Sequence, residues 1–258
     1  MSREIEILSP PEKVDMADDW YRFATKDHFW IKARLRAIMR KNYLKTLKGK
    51  KLFEIGCGNG VIIYQMEETH EVVVDGCDLN MLALRQIQGN KGNLYCLNIF
   101  DRPQKLLQQY EGILLMDVIE HIDDDVEFLR KSLDYLNKDG IVIINVPALN
   151  SLFSRYDIAA GHKRRYDKDM IRRLFLACDI DEISISYWGL TLLPIAVLRK
   201  YILQLSTKEK VISTGFEPPN KAINWLLDLL LRAEDLLFKS PWLGTSIVAI
   251  GQRKNLNV

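Results

Sequence analysis

Four cysteines and four histidines are all the thiolate and imidazole metal ligands that this chain of 258 residues offers. Cys57, Cys77, Cys96 and Cys178 are scattered, with no Cys-x-x-Cys pair and no metal spacing. They read as reduced core thiols of a cytoplasmic protein, and no metal site is expected. Long apolar runs are also missing. The longest, Trp188 to Leu198, contains Thr191 and Pro194 and is too short to cross a bilayer. The opening Met1-Ser-Arg-Glu-Ile-Glu is polar and acidic, unlike a secretory leader. Neither sign of charge dominates: 36 Lys and Arg against 34 Asp and Glu leave +2. Nothing global therefore points to nucleic acid, and any basic surface has to be local. With 48% hydrophobic and 27% charged residues, the composition is that of a soluble globular chain.

What is present is organised around Lys51 to Gly60. Leu52-Phe53-Glu54-Ile55 reads as a short buried strand. Gly56, Gly58 and Gly60 follow at alternate positions, and Val61 opens a helical pattern. Such a turn lets backbone approach a ligand and aims unpaired helical N–H groups at it. The dinucleotide fingerprint needs glycine at its first, third and sixth positions. Counted from Gly56, the sixth is Val61, so that pattern fails. An ordinary strand–helix turn without a ligand is the plain alternative. The pattern present, acidic-x-Gly-x-Gly-x-Gly led by Glu54, resembles motif I of class I S-adenosylmethionine-dependent methyltransferases. The resemblance implies that Glu54, Gly56, Cys57, Gly58 and Gly60 cradle S-adenosylmethionine, with S-adenosylhomocysteine as product.

The next segments extend the resemblance. Val72 to Asp78 reads as a second strand ending in an acid, where the family binds both ribose hydroxyls. One carboxylate can accept two hydrogen bonds from a vicinal diol, although Asp78 also suits a cap for the helix after Leu79. The third strand, Leu94 to Ile99, carries Asn98 where many family members have the aspartate that holds the adenine amino group; Ile99 lies beside it. Glu111 to Asp117 is the fourth strand, ending in Met116 and Asp117. Val118-Ile119-Glu120-His121-Ile122 resembles the family's hydrophobic-Glu-His signature, which puts His121 near the cofactor. Ile141 to Val146, apolar on both faces, is a strand covered on each side. Alternation of strand and helix predicts a doubly wound α/β sheet. Glu54, Asp78, Asn98 and Asp117 all fall at strand carboxyl ends, where such sheets bind ligands. The resemblance implies a seven-stranded, mostly parallel, Rossmann-like class I fold, in the order three-two-one-four-five-seven-six.

Residues 1–15 read as a flexible lead and 16–48 as a helical cover rich in aromatics, among them Trp20, Tyr21, Phe23, Phe29 and Trp30. The stretch His28 to Arg34 resembles the family segment that covers the methionine end of the cofactor, with Arg34 its candidate carboxylate partner. His28 itself and His70 read as peripheral. Beyond the loop 148–157, Gly161-His162-Lys163-Arg164-Arg165-Tyr166 resembles a branch associated with glycan and lipid-linked sugar pathways. A solvated charge run is the bland reading. The planar forks of arginine suit phosphate or carboxylate, and His162, Arg164, Arg165 and Tyr166 are the candidate acceptor-binding residues. His162 and His121 are the histidines placed to serve as a base.

A sixth strand runs from Asp181 to Tyr187 and a seventh from Leu243 to Gly251. The roughly 50 residues between them far exceed a hairpin loop. This insertion, 189–240, interrupts a single domain (1–258) whose core sheet comes from 51–188 and 242–253. It carries two helical patterns. In the second, Asn224, Asp228, Arg232, Asp235 and Lys239 form a narrow polar band, with Asp228 and Arg232 spaced as an ion pair. The broad apolar remainder needs covering by the domain, a second subunit, or a membrane and lipid acceptor. Because the band mixes acids and bases, adhesion to anionic lipid is expected to be weak; a lid over an apolar acceptor or a homodimer contact is expected instead. The function implied is methyl transfer to a small molecule, apolar or anionic, glycan- or lipid-linked, with no nucleic acid. A catalytically silent S-adenosylmethionine-binding or scaffold protein is an alternative, as is a nicotinamide-dependent oxidoreductase, which Val61 argues against.

Overall fold

A computed structural model describes residues 4–13, 24–40, 47–87, 91–205, 211, 215 and 220–254. Trp20, Tyr21 and Phe23 of the expected helical cover lie outside them, as does the side chain of His70. The sheet grows outward from β2 (Lys51–Ile55). This strand pairs in parallel with β3 (Val73–Asp78) on one side and β5 (Tyr110–Met116) on the other. β4 (Leu94–Cys96) extends it beyond β3, and β6 (Leu136–Pro147) beyond β5. β8 (Ser246–Arg253) runs antiparallel between β6 and β7 (Ile180–Trp188). Side chains alternate between two buried layers: Phe53 stacks on Tyr110 at 4.6 Å in one, while Leu52, Ile63 and Met66 pack in the other. A parallel strand buried on both faces is mostly apolar, as Leu52-Phe53 in β2, Ile113 to Met116 in β5 and Ile141 to Ile144 in β6 are.

The sheet has eight strands, in the order β1-β4-β3-β2-β5-β6-β8-β7. The additional one, β1 (Ile5–Ile7), lies in the segment expected to be a flexible lead. It pairs in parallel with β4, and the Leu8 and Ser9 amides both donate to the Cys96 carbonyl. Three residues are too few for a periodic signal; the open edge of β4 selects the pairing. Asn137-Lys138-Asp139-Gly140, whose composition reads as a turn ahead of Ile141, is a second difference. These residues lie inside β6, where the register against β5 jumps from Tyr110–Leu136 to Gly112–Ile141.

Among the described residues, six longer helices flank the sheet: α1 (Phe29–Met39), α2 (Val61–His70), α4 (Asp125–Leu133), α6 (Lys168–Ala177), α7 (Leu193–Gln204) and α8 (Lys221–Leu237); α3 (Met81–Leu84) and α5 (Arg155–Ala159) are short. The last pair, α7 and α8, falls between β7 and β8. Asn224, Asp228 and Asp235 of the α8 band face inward, against α1 and the residues before it, while Arg232 and Lys239 stay exposed. Arg36 of α1 donates to Asp228 and Asp235, both at 2.7 Å, and Arg40 pairs with Asp235. Asn224 accepts from the Phe29 amide at 3.0 Å and donates to the Asp27 carbonyl. The expected pair of Asp228 with Arg232 forms at 3.0 Å.

Glu234 anchors the far side of α8. Its carboxylate is 1% exposed and accepts from the Gly189 amide, the Thr191 amide and the Thr191 hydroxyl at 2.8–2.9 Å. Glu234→Ala should cost about 1–3 kcal/mol for each amide left dry. In a chain of this size that lowers the melting temperature by roughly 2–4 °C per kcal/mol. Leu236→Ala, at an 86% exposed position, should leave it unchanged. Equal melting temperatures for Glu234→Ala and the parent would show that the carboxylate does not tie α8 down.

Candidate functional site

A cleft of about 600 Å³ opens beyond the carboxyl ends of β2, β3, β4 and β5. Its floor is the glycine turn. Gly56, Gly58 and Gly60 all have positive φ, at 73°, 52° and 70°. A Cβ on Gly56 would meet Val118 at 2.7 Å, and one on Gly60 would meet Ile87 at 2.9 Å. Both positions thus require glycine for conformation and for space. Gly60 is the N-terminal cap of α2 and does not itself line the cleft.

Asp78 stands at the wall. One of its oxygens accepts from the Gly58 amide at 2.9 Å and the other from the Asn80 amide at 2.8 Å. Each keeps a further lone pair. Burial pushes its carboxyl up despite those bonds. Glu54 is 3% exposed, and its Oε2 has no hydrogen-bond partner. Burial pushes it up to about 8, against the pull of Arg34. Leu79, Asn98, Ile99 and Met116 complete this half. The Asn98 side-chain oxygen already accepts from the Phe100 amide at 3.1 Å, which leaves one lone pair for a ligand.

The centre is a closed ring of contacts. Arg34 donates to Asp117 at 2.6 Å, and Asn145 donates to the other Asp117 oxygen at 2.8 Å. Trp188 donates to Asn145 at 3.0 Å and lies 5.5 Å from Trp30. The Arg34 guanidinium sits over Trp30 at 5.1 Å, closing the ring. Asp117 has φ 61°, a conformation that non-glycine residues rarely adopt. Its amide donates to the Asn145 carbonyl at 2.9 Å, so both ends of the residue are tied. Arg34 Nε is buried without a partner. His28 was expected to be peripheral; it is 3% exposed, lines the cleft, and caps α1 by accepting from the Trp30 amide.

On the opposite wall, Asp157 is fully buried and receives Arg165 Nε at 2.8 Å and His162 Nδ1 at 2.9 Å. It also closes the capping box of α5 with Ser154. Burial pushes the Asp157 carboxyl up, but the bonds from His162 and Arg165 outweigh it and hold the group at about 2. Arg165 further donates to the Ala148 carbonyl, so its fork is already occupied. The structure places Arg164 and Tyr166 outside the cleft, correcting their expected contact with an acceptor. Arg164 pairs with Asp125 at 2.9 Å, and the Tyr166 hydroxyl donates to the same carboxylate at 2.7 Å. Their chemistry goes into fixing the start of α4.

His121 and His162 meet edge to face at 4.8 Å. Burial pushes His121 down to about 4, with His162 adding to it. Glu120 is 0% exposed, and neither of its oxygens has a partner. Burial and the Asp117 charge push it well up. Although no sequence spacing suggests a metal, Glu120, His121 and His162 bring three ligand atoms within 4.8 Å of one another, a set that could hold a cation. Sequence reasoning missed Glu120, Asn145, Asp157 and Trp188 as parts of the site. Only Glu120 carried a signal, from its place before His121.

A family model described as a methyltransferase domain matches residues 26–181. A tRNA U34 carboxymethyltransferase of Campylobacter lari is 30% identical over 116 residues, covering 41% of this chain and 38% of that protein. A ubiquinone biosynthesis O-methyltransferase of Coxiella burnetii is 26% identical over 151 residues, covering 55% and 62%. The matched stretches thus span less than two thirds of these relatives. A SAM-dependent methyltransferase structure from Archaeoglobus fulgidus superposes with a TM-score of 0.53 at 14% identity, covering 86% and 94%. At that identity the likeness is one of fold.

The buried Glu54 gives a pH test. Its folded value of about 8 lies above the ordinary 4.5. The folded chain therefore keeps a proton that the unfolded chain releases. That stabilisation is full below the ordinary value and is lost as pH rises through about 8. Thermal melts between about pH 5 and pH 9 should show stability declining, and Glu54→Gln should flatten the decline. Identical slopes would mean that Glu54 is ionised in the fold at neutral pH.

Proposed function

Because the chain belongs to the methyltransferase-domain family, we propose that it transfers a methyl group from S-adenosylmethionine to a hydroxyl of a small, partly apolar acceptor. The observation that carries the hydroxyl is the Asp157–His162 pair. A carboxylate held at about 2 is acceptor-only, so the shared proton lies on His162 Nδ1. Nε2 then keeps its lone pair for a hydroxyl proton. His121, neutral with a value of about 4, is too weak a base and acts as a wall.

The residues present fit the cofactor. The cradle has no room for a Cβ at Gly56, and Asp78 has a lone pair on each oxygen for a ribose diol. Two buried polar atoms, Arg34 Nε and Glu54 Oε2, have no other partner. S-adenosylmethionine, when bound, supplies a methyl already activated on a sulfonium. What remains for the chain is alignment, exclusion of water, and removal of one proton. During the transfer, His162 Nε2 would take the proton released by the acceptor hydroxyl. The apolar side of the cleft, with Leu192, Ile195, Ile202, Ile223 and Leu227, supports an acceptor with an apolar part. So does the O-methyltransferase among the relatives, whose name places it in ubiquinone biosynthesis. On this reading α7 and α8 are the lid of the acceptor side.

Two measurements test the assignment. Asp78→Ala should weaken S-adenosylhomocysteine binding by about 1–3 kcal/mol in calorimetry. Unchanged affinity in the folded variant would remove Asp78 from the cofactor site. His162→Ala should cut transfer of a labelled methyl into a cell lipid extract by roughly a hundredfold or more. Cofactor affinity should survive in that variant. Dialysis of the parent against EDTA should leave its turnover intact; loss restored by a divalent metal would reassign Glu120, His121 and His162 as a metal centre.

A further inference from the structure

The inward turn of Asn224, Asp228 and Asp235 leaves α8 facing outward with the wrong side for water. Trp225, Leu229 and Leu236 are 65%, 46% and 86% exposed. On α7, Leu198 and Tyr201 are 60% and 61% exposed, with Leu205 just after it at 91%, and Trp242 beyond α8 is at 66%. A surface helix ordinarily buries such residues and exposes its charges. Here Asn224, Asp228, Glu234 and Asp235 are satisfied internally while these large apolar side chains stay exposed, which marks an interaction site.

Charge identifies what covers it. All three acids of α8 are turned in: Asp228 and Asp235 to Arg36, and Glu234 to the Gly189 and Thr191 amides. α7 has no acid at all. Among the described residues of α7, α8 and the turn just after α8, the exposed charges are therefore cationic: Lys221, Lys239, and Arg232, which pairs with Asp228. A second copy related by a two-fold axis would set this rim against itself with no exposed helical acid to pair it. An anionic lipid surface complements it, and indole and phenol rings suit the headgroup level. Among the described residues no helix is long and apolar enough to span a bilayer, so the pair would lie on the surface. The same two helices line the cleft through Ile195, Leu198, Ile202, Ile223 and Leu227, so the apolar exterior runs into its mouth.

We propose that α7 and α8 form an interfacial surface that docks on anionic lipid and opens the acceptor side of the cleft toward the bilayer. Entry of an amphiphilic acceptor from that side rests on the methyl-transfer reading; the docking does not. Flotation with phosphatidylcholine vesicles, with and without about one third phosphatidylglycerol, tests it. The full chain should bind the anionic vesicles about tenfold more tightly, and salt should weaken that binding. The double variant Trp225→Asp, Leu236→Asp changes two exposed positions outside the cleft. It should stay folded, keep its S-adenosylhomocysteine affinity, and lose the vesicles. Failure of the parent to float with either vesicle would overturn the proposal, as would equal binding to both. A parent dimer that the variant splits, with no vesicle binding, would assign the face to a second copy. Calorimetry on the same samples reads the cofactor separately, so failed docking and failed methyl transfer are distinguishable.

Discussion

The buried ion pair between Arg34 and Asp117 is the constraint on which most of the site depends. It joins α1 to the end of β5, and Asn145 and Trp188 extend it to β6 and β7. Arg34 is 3% exposed, so neither charge can be removed alone without leaving the other dry. Breaking such a pair costs about 3–5 kcal/mol even where its net contribution to stability is small. Its role is geometric. It holds Asp117 in a left-handed conformation and keeps α1 across the cleft. Two residues further along the same helix, Arg36 grips α8. Cofactor-side wall and insertion are therefore positioned by opposite faces of one helix.

The electrostatics of the cleft follow from that enclosure. Glu54, Asp78, Asp117 and Glu120 converge on one space, and burial pushes every one of them up. Arg34 and Arg165 are the buried cations opposing them, and both are already engaged by Asp117 and Asp157. A cationic guest would favour the ionised form of such carboxyls, and a sulfonium is one. The histidine side differs. There Asp157 is fully compensated and His162 keeps one free nitrogen. One cleft thus holds a region suited to positive charge and a region suited to taking a proton.

The insertion obeys the same logic of satisfied polar groups, with an opposite outcome at the surface. Its acids meet arginines and amides inside the molecule. That leaves leucine, tryptophan and tyrosine outside, on helices that also line the cleft.

Strands, glycine turn and acids at strand ends were legible in the sequence because they obey local rules. Two-sided burial demands the apolar runs of β2, β5 and β6, positive φ demands Gly56 and Gly60, and a strand followed by an acid puts Asp78 at the mouth of the sheet. The order of the sheet came from family resemblance and is present, with β1 added because an open edge accepted three residues too short to signal themselves. The tertiary structure alone decided the rest. Periodicity shows that α8 has two faces but not which one meets a neighbour, and Asp228 meets Arg36, 192 residues away. The Gly-His-Lys-Arg-Arg-Tyr run reads as one functional unit, yet its side chains diverge: His162 and Arg165 turn to Asp157, Arg164 and Tyr166 to Asp125. Which carboxylate each cation finds is set by long-range packing, and no local pattern encodes it.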